Sequence, residues 1–247
     1  MSAFRELDLS SHRRVLIAGD IHGMFRLLKR ELAKQEYDPD KDALVFAGDL
    51  IDRGPDNLKA LDWIERPNVF RVLGNHEEII EQISQGEVSL KEAQKLGSAW
   101  LFNHNKDDQR EIARKLMRAP TALEIKTPGK WTIGVTHADC ISNWTYLSEI
   151  LRDSTHPGYR AALANCRWSR TEINALTAEI EKTNGIPKRV TNMIGIDHVF
   201  HGHSIVNRAF SHHDRSWIDT GAASRGKLTV IDADLWLGNL DRHQIWQ

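Results

Sequence analysis

The sequence predicts an α/β fold with a largely parallel first sheet and a second, mostly antiparallel sheet. Two observations within its 247 residues support this prediction. Near the amino terminus, an apolar run followed by a polar loop and a helical pattern occurs three times in succession, which is typical of parallel strands with right-handed crossovers. Short strand-like runs separated by polar turns then occupy the carboxyl-terminal part of the chain.

The three strand-loop-helix units lie between residues 14 and 85. Each unit begins with a short aliphatic run of the kind that forms a buried strand, and each helix has apolar residues at helical spacing. The predicted strands are Arg14–Ala18, Ala43–Ala47 and Val69–Leu73, and the predicted helices are Met24–Glu36, Leu58–Glu65 and Glu77–Gln85.

Two later segments are predicted to lie outside the sheets. Residues 90–118 have a polar helical pattern, which we expect to form a cap or outer layer without assigned chemistry, with Trp100 in the core. Residues 143–196 contain several Pro and Gly residues and are expected to form an insertion that lies over the site. We expect residues 1–247 to form a single domain.

The second sheet is predicted from the remaining segments. Thr121–Lys126 and Lys130–Thr136 flank a Pro-Gly turn, which is typical of a hairpin. The run from His198 to Ile231 then contains several short strand-like stretches.

The composition excludes several classes of function. Lys and Arg number 33 and Asp and Glu 34, so the net charge of −1 does not favour binding to nucleic acid or to a membrane surface. Cys140 and Cys166 are too few for a disulfide framework and are expected to be reduced. The amino-terminal segment lacks the apolar core of a signal peptide, and no run is long enough to span a membrane, so we expect a cytoplasmic location. The sequence does not indicate an oligomeric state.

Polar residues cluster in the loops after the three predicted parallel strands, in the motifs GDIHG, GDLIDRG and GNHE. Open α/β sheets bind their ligands at this edge. Asp20 and His22 follow the first strand, Asp49 has the same position after the second, and Asn75 and His76 follow the third. Carboxylates held close together are costly unless cations compensate them, so the pattern predicts a metal site.

Two further histidines, His137 and His203, each follow a strand-like run. Oxygen and imidazole ligands without thiolates favour Mn, Fe, Zn or a similar metal. Taken singly, these residues have simpler interpretations: Asp49 fits a salt-bridged loop, and His137 fits a core histidine. Arg170, a candidate whose part in the site is given below, taken singly fits a solvated arginine on an amphipathic segment. The convergence of several loops is what favours a site.

The motifs GDIHG, GDLIDRG, GNHE, THAD and GHS, in this order, resemble those of the metal-dependent phosphoprotein phosphatase family. This family is of the calcineurin-like metallophosphoesterase type, and the likeness is to its lambda-phosphatase-like bacterial and phage branch. The resemblance runs from about Arg14 to Leu228 and includes WSRTEI and IDTGA. It implies an α/β calcineurin-like fold, with two β-sheets sandwiched between helices.

The resemblance also implies two divalent metal ions, with Mn²⁺ expected and Fe, Zn or Ni as alternatives. His201 does not match a ligand position, while Asp139 and Asp219 fit either carboxylates that orient metal-bound histidines or turn caps. The implied ligands are Asp20 and His22 on one metal, Asp49 between the two metals, and Asn75, His137 and His203 on the other.

The reaction implied is attack on phosphorus by a hydroxide that bridges the metals, without a protein nucleophile. His76 is expected to protonate the leaving alkoxide, and Asp52 is expected to orient His76. Arg53 and Arg170 are expected to bind the phosphoryl oxygens with their planar guanidinium groups. Asn75 and His76 would also face the substrate.

The expected substrates are phosphoserine and phosphothreonine in proteins, with phosphotyrosine or a small phosphoester as a further possibility. Leu73 stands where many relatives have an arginine, so the phosphate pocket is expected to lack one cationic donor. This feature resembles the diadenosine tetraphosphate hydrolases, which form the first alternative. Those relatives tend to lack the aspartate of DRG, which is Asp52 here. A non-catalytic phosphate-binding module is the second alternative.

Overall fold

The computed structural model describes residues 2–183 and 192–240, which form two mixed β-sheets flanked by helices. This architecture confirms the predicted fold class. The strands are β1 (Phe4–Asp8), β2 (Arg14–Ala18), β3 (Asp42–Phe46), β4 (Val69–Arg71), β5 (Ala122–Lys126), β6 (Thr132–Thr136), β7 (His198–His201), β8 (Phe210–His212), β9 (Arg215–Trp217) and β10 (Val230–Asp232). The helices are α1 (Phe25–Lys34), α2 (Lys59–Ile64), α3 (Asn75–Gln85), α4 (Leu90–Leu96), α5 (Lys106–Leu116), α6 (Trp144–Arg152), α7 (Tyr159–Trp168), α8 (Thr171–Thr183), α9 (Ala222–Arg225) and α10 (Ala233–Leu237), with a 3-10 turn at Ala99–Asn103.

The first sheet has the strand order β10-β2-β3-β4. Strands β2, β3 and β4 run parallel, as predicted, and β10 pairs antiparallel with β2. In this register Ala18 lies opposite Phe46, and Phe46 lies opposite Arg71. The loops after the three parallel strands therefore leave one edge of the sheet side by side, and these loops carry the charged motifs.

The second sheet has the order β1-β5-β6-β7-β9-β8, and the prediction that it is mostly antiparallel is wrong. The hairpin of β5 and β6 is antiparallel, as is the pair β8 and β9, but β1-β5, β6-β7 and β7-β9 are parallel within the described residues. Helices α6 to α8 separate β6 from β7, and such a long crossover allows a parallel return. Strand β10, at the end of the run predicted for the second sheet, instead pairs with β2 in the first sheet.

Apolar side chains fill the spaces between these layers. Alternate residues of the first sheet point in opposite directions, so that Ile17 and Val45 pack with Phe200 between the two sheets. Phe46 faces the other way, into a cluster formed with the helices that cover the first sheet. Trp144 belongs to a third cluster, on the outer face of the second sheet. The two sheets thus share one core, and each has a helical cover.

The segment 90–118 is helical, as predicted, and consists of α4, the 3-10 turn and α5. Ser89 and Glu92 cap the amino terminus of α4 reciprocally, and the helix ends at Gly97, whose φ of 83° is favourable for glycine. The 143–196 segment contains α6, α7 and α8, whereas its residues 184–191 lie outside the described ranges.

Two smaller expectations also bear on the fold. Cys140 and Cys166 are buried free thiols, in agreement with the prediction. Across the described ranges, no helix has the length and apolar character needed to cross a membrane.

The start of the first sheet is held by a buried carboxylate. Asp42 opens β3 opposite Arg14 of β2, and its side chain is fully buried. Arg13 donates to Asp42 from Nε and Nη2, both at 2.7 Å, and Arg14 donates from Nη2 at 3.1 Å. Burial alone would raise the pKa of Asp42, but the donors Arg13, the Asp38 amide and Arg14 outweigh it and hold this pKa well below its usual range. The ion pairs therefore stabilise the fold above the unfolded-state pKa of about 3.9 and are lost as the pH falls towards the native value.

We predict that Asp42→Asn lowers the free energy of unfolding at pH 7 by about 2 kcal/mol, since it weakens charge-assisted hydrogen bonds at a buried site. The difference from the wild type should shrink as the pH falls from about 5 to 3. Urea unfolding at several pH values measures it, and Asp107→Asn, at an exposed carboxylate, is the matched control. A difference that is constant with pH would contradict this role.

Candidate metal centre

The loops after β2 and β3 are joined by backbone hydrogen bonds. The amides of Ile21 and His22 both donate to the carbonyl of Asp49, at 3.0 and 2.9 Å. Several site residues adopt positive φ, a conformation that costs of order 1 to 3 kcal/mol for a residue other than glycine and persists where the surroundings impose it. Among the described non-glycine residues, positive φ is found at His22, Asp49, Asp52, Arg53 and His203 of the site and at four positions elsewhere.

Glu77 ties the second loop to the third, a role that sequence reasoning missed. Its carboxylate accepts from the amides of Asp49 at 3.0 Å, Leu50 at 2.9 Å and Gly74 at 2.8 Å. Gly74 packs so closely that an added Cβ would lie 2.1 Å from Asp49 Oδ1. The signal was present in the sequence, since Glu77 is the third residue of α3 and can reach back to the helix start.

The structure brings the predicted metal ligands together. Asp49 Oδ2 lies 3.5 Å from His22 Nε2 and 3.4 Å from His137 Nε2. His137 Nε2 is also 2.9 Å from Asn75 Oδ1. Two groups of possible ligand atoms share Asp49, which is the position expected of a bridging carboxylate. One group is His22, Asp49 and His76, and the other is Asp49, His137 and His203; the ligand atoms of each lie within 4.8 Å of one another.

Asp20, the remaining predicted ligand, is buried at the same place. Its Oδ2 lies 3.9 Å from His22 Nε2, and its Oδ1 lies 4.0 Å from His137 Nδ1. The backbone amide of His203 donates to Asp20 Oδ1 at 3.1 Å. All six predicted ligands thus lie within one buried cluster.

Each of the three histidines predicted as ligands has one ring nitrogen within hydrogen-bond distance of a backbone carbonyl. His22 Nδ1 lies 2.9 Å from the Ile51 oxygen, and His137 Nδ1 lies 2.8 Å from the Ala47 oxygen. For His203 it is Nε2 that lies 3.0 Å from the oxygen of Trp168. Because a carbonyl can only accept, that nitrogen carries the proton and the other nitrogen is free for a metal. His22 and His137 would therefore bind through Nε2, and His203 through Nδ1.

The charges of the buried groups fit cations at this position. Burial, together with the charge of Asp219, raises the pKa of Asp20 well above its usual value. Burial also opposes charge on Asp49, but His137 and His76 hold the pKa of Asp49 well below its ordinary range. Burial lowers the pKa of His137, but the Asp49 and Asp20 carboxylates outweigh burial and raise this pKa to about 10.

Without a cation, His137 thus takes up positive charge against these carboxylates. Burial lowers the pKa of His22 to about 4 and that of His203 to about 3, so both rings are neutral at pH 7 and have lone pairs for a metal. Paired buried carboxylates with neutral imidazoles form a donor set that suits divalent cations.

Beside the cluster, Asp52 and His76 form a buried pair. His76 Nδ1 lies 2.6 Å from Asp52 Oδ2, and Asp52 is fully buried. Burial opposes the charge on His76, but Asp49 and Asp52 outweigh this effect and raise the pKa of His76 above its usual value. Two donors on Asp52 were missed by sequence reasoning: the hydroxyl of Ser98, and the indole Nε1 of Trp100 at 2.7 Å. Trp100 is half-buried, so the expectation of a purely core residue is incomplete.

The two predicted arginines lie on different sides of the centre. Arg53 Nη1 is 2.7 Å from His22 Nε2, and its Nη2 is 2.9 Å from His76 Nε2. Because His22 Nε2 has a single lone pair, it can accept from Arg53 or bind a metal, but not both. Arg170 donates from Nη2 to the carbonyl of His203 at 3.1 Å. Both arginines are exposed and can be reached by a substrate.

The residues left open by the sequence have other partners. His201 is buried on β7 with Nδ1 at 3.0 Å from the Thr136 hydroxyl, outside both ligand groups. Asp139 accepts from the Ser169 hydroxyl and the Glu172 amide and so caps the start of α8. Asp219 accepts from the Gly221 amide. Leu73 is buried, with 3% of its surface exposed, and is therefore part of the core and not an open wall of the site.

Comparison with known proteins agrees with this architecture. The family model for calcineurin-like phosphoesterases matches residues 13–207. Serine/threonine-protein phosphatase 1 of Salmonella typhimurium is 27% identical over 233 residues, which cover 92% of this chain and 95% of that protein. A symmetrical bis(5'-nucleosyl)-tetraphosphatase of Photorhabdus laumondii is 46% identical, but over 63 residues, or 25% of this chain and 23% of that protein.

Solved structures support the same fold. The structure of a serine/threonine phosphatase from Saccharomyces cerevisiae superposes with a TM-score of 0.57 at 15% identity, and the match covers 94% of this chain and 77% of that one. The family match spans most of the chain and includes the loops after β2, β3 and β4 and the turn that holds His203. The chain therefore belongs to the calcineurin-like phosphoesterase family.

Proposed function

We propose that the chain is a metal-dependent phosphomonoesterase that acts on phosphoserine and phosphothreonine in proteins, with phosphotyrosine as a further substrate. The buried pair of Asp52 and His76 carries this proposal. A serine or threonine alkoxide is a poor leaving group and must be protonated as the P–O bond breaks. An imidazole held by a carboxylate at the edge of the candidate metal centre is suited to supply that proton.

The family depends on two metal ions, and the buried cluster around Asp49 fits them. We propose divalent cations, with Mn²⁺ first and Fe, Zn or Ni as alternatives. When bound, they would supply a nucleophile at neutral pH and neutralise charge on the phosphoryl group. Asp20 and His22 would hold one ion, Asn75, His137 and His203 the other, and Asp49 both.

The other side chains would bind the substrate and move the proton. Phosphate monoesters are so inert that enzymes accelerate their hydrolysis by up to ~10²¹, roughly 28 kcal/mol of barrier. Of this, a general acid such as His76 contributes about 10² to 10⁴. Arg53 and Arg170 would bind the phosphoryl oxygens with charged forks, and Asn75 would orient the group beside His76.

A nucleotide hydrolase of the bis(5'-nucleosyl)-tetraphosphatase type is the second candidate. Local identity to such an enzyme and the aliphatic Leu73 favour it. Its leaving group is a nucleotide phosphate, which needs little protonation, so the Asp52–His76 pair would be superfluous there. The similarity to serine/threonine phosphatases extends over nearly the whole chain and supports the first candidate. The complete ligand set argues against a non-catalytic module.

We predict that the Mn²⁺-loaded protein hydrolyses a phosphoserine peptide and p-nitrophenyl phosphate faster than diadenosine tetraphosphate. Phosphate release and nucleotide chromatography measure the three rates. Cleavage of the tetraphosphate without peptide dephosphorylation would favour the second candidate, and inactivity on all three with metal bound would favour the non-catalytic module.

Asp52→Asn should lower kcat about 10²-fold or more on the phosphoserine peptide and much less on p-nitrophenyl phosphate, which leaves without a proton. Asp139→Asn is the matched control, since it alters a buried carboxylate that caps α8 and does not contact His76. Its losses should be similar on both substrates. Equal losses with Asp52→Asn would show that the acid assignment is wrong.

Mn²⁺ should raise the melting temperature, because a ligand at 100 times its Kd stabilises the native state by about 2.7 kcal/mol. His203→Ala should remove most of this increase, whereas His201→Ala should retain it even if the apoprotein melts lower. Calorimetry with and without metal measures both increments. If His201→Ala lost the Mn²⁺-dependent rise in melting temperature and His203→Ala kept it, His201 and not His203 would be the metal ligand.

A further inference from the structure

The turn that follows α4 lies directly against the loop that carries Asp52 and Arg53. The backbone amide of Arg53 donates to the carbonyl of Gly97 at 3.0 Å. Gly97 is so close that an added Cβ would lie 2.9 Å from the nitrogen of Arg53. The next residue, Ser98, is fully buried, and its hydroxyl donates to Asp52 Oδ2. Trp100, two residues further on, donates from Nε1 to Asp52 Oδ1 at 2.7 Å.

These contacts fix both oxygens of one carboxylate. Oδ1 accepts from Trp100, and Oδ2 accepts from Ser98 and from His76 Nδ1 at 2.6 Å. A carboxylate held by His76 alone could rotate about its Cβ–Cγ bond and exchange its oxygens. With donors on both oxygens, rotation breaks at least two hydrogen bonds, so the orientation of Asp52 towards His76 is determined.

The donors from this turn are neutral. Across the described residues, Asp52 forms no ion pair with a lysine or arginine, and its ionisable partner is His76, whose ring is charged when it is protonated. A hydroxyl and an indole N–H can orient a carboxylate without cancelling its charge. The negative charge of Asp52 therefore remains available to stabilise the His76 ring when that ring is protonated.

Helix α4 contributes few side chains to the core, namely Ala93 and the partly buried Leu96. Of its seven residues, Ala93 is the buried one. Its capping box at Ser89 and its left-handed end at Gly97 define where the helix stops, and so where Ser98 begins. Because both ends of α4 are fixed, the turn that follows it has a defined position. This position allows Ser98 and Trp100 to contact Asp52.

We propose that Ser98 and Trp100 are positioning residues for the proton donor: they orient Asp52 so that His76 presents its proton to the leaving group. This inference rests on the proposed phosphomonoesterase function and assigns the segment 90–118 a part in it. Their proposed role is exerted through Asp52 and requires no contact with the substrate. Their effect is on the step in which the leaving oxygen takes a proton from His76 while the P–O bond breaks.

The test compares two aryl phosphates on the Mn²⁺-loaded protein. Phenyl phosphate has the poorer leaving group and needs the proton, whereas p-nitrophenyl phosphate does not. Ser98→Ala and Trp100→Phe, which keeps a ring but removes the N–H, should each lower kcat on phenyl phosphate about tenfold and change kcat on p-nitrophenyl phosphate less than twofold. KM should stay near the wild-type value. Tenfold is a fraction of the ~10² to 10⁴ that a general acid contributes.

Two further variants separate positioning from simple loss of structure. Ser98→Thr keeps the hydroxyl and should retain most of the phenyl phosphate activity. Ser89→Ala weakens the cap of the same helix without a contact to Asp52, and its losses should be equal on both substrates. Equal losses in Ser98→Ala and Trp100→Phe, or no loss in either, would overturn the proposal.

A measurement that needs no turnover distinguishes this proposal from the proposed function. The Nδ1 proton of His76, in a short hydrogen bond to Asp52, should give a downfield resonance in the proton NMR spectrum. His76→Gln should remove this resonance. The double variant Ser98→Ala with Trp100→Phe should shift this resonance upfield or broaden it, and Ser98→Thr should leave it in place. An unchanged resonance in the double variant would overturn the positioning role, even if the protein hydrolyses neither aryl phosphate and the proposed function fails.

Discussion

Asp49 is shared by both groups of candidate ligands, and most of the site is arranged around this one buried carboxylate. A carboxylate out of water needs donors or positive charge on each of its oxygens. Here the His76 amide donates to Oδ1 of Asp49, and the His22 and His137 rings lie beside Oδ2. The backbone amide of Asp49 in turn donates to the Glu77 carboxylate. The left-handed conformation of Asp49 and the close contact with Gly74 are consequences of bringing these groups to one point.

The sheets supply the rigidity that this arrangement needs. Parallel strands in register end at one edge, so their loops emerge side by side, and the shared apolar core prevents the two sheets from sliding. The second sheet brings His137 from the end of β6 and His203 from the turn after β7. Backbone carbonyls then set the ring orientation of each candidate histidine ligand, so that the other ring nitrogen of each could bind a metal. Backbone carbonyls are well suited to this task because they are held by the strands and loops themselves.

The site consists of two neighbouring regions that differ in how the charge of their carboxylates is compensated. The Asp49 cluster concentrates negative charge that cations can neutralise. The Asp52 pair keeps a single negative charge for one imidazole, with neutral donors around it. Arg53 lies between them and contacts a histidine of each region. Arg53 thus links a candidate metal ligand to the proposed proton donor.

The amino-acid sequence was sufficient to predict the parallel sheet, the loops that carry the motifs and the six candidate ligand residues that the fold brings together, because apolar periodicity and strand-end position are local properties. It failed where partners come from distant segments. The direction of β7 beside β6 depends on a long helical crossover, and that of β9 beside β7 depends on the antiparallel strand β8 between them in the chain. The edge strand β1 was not predicted, because its sequence is rich in charged residues. Ser98 and Trp100 lie more than forty residues from Asp52 in the sequence. A single side-chain hydrogen bond between distant residues leaves no periodic pattern in the sequence, so it could not be predicted. Likewise, which ring nitrogen stays free on His22, His137 and His203 depends on the backbone carbonyl that the tertiary fold brings beside each ring. Hydrogen bonds across distant segments are geometric facts of the folded chain, and only the tertiary structure contains them.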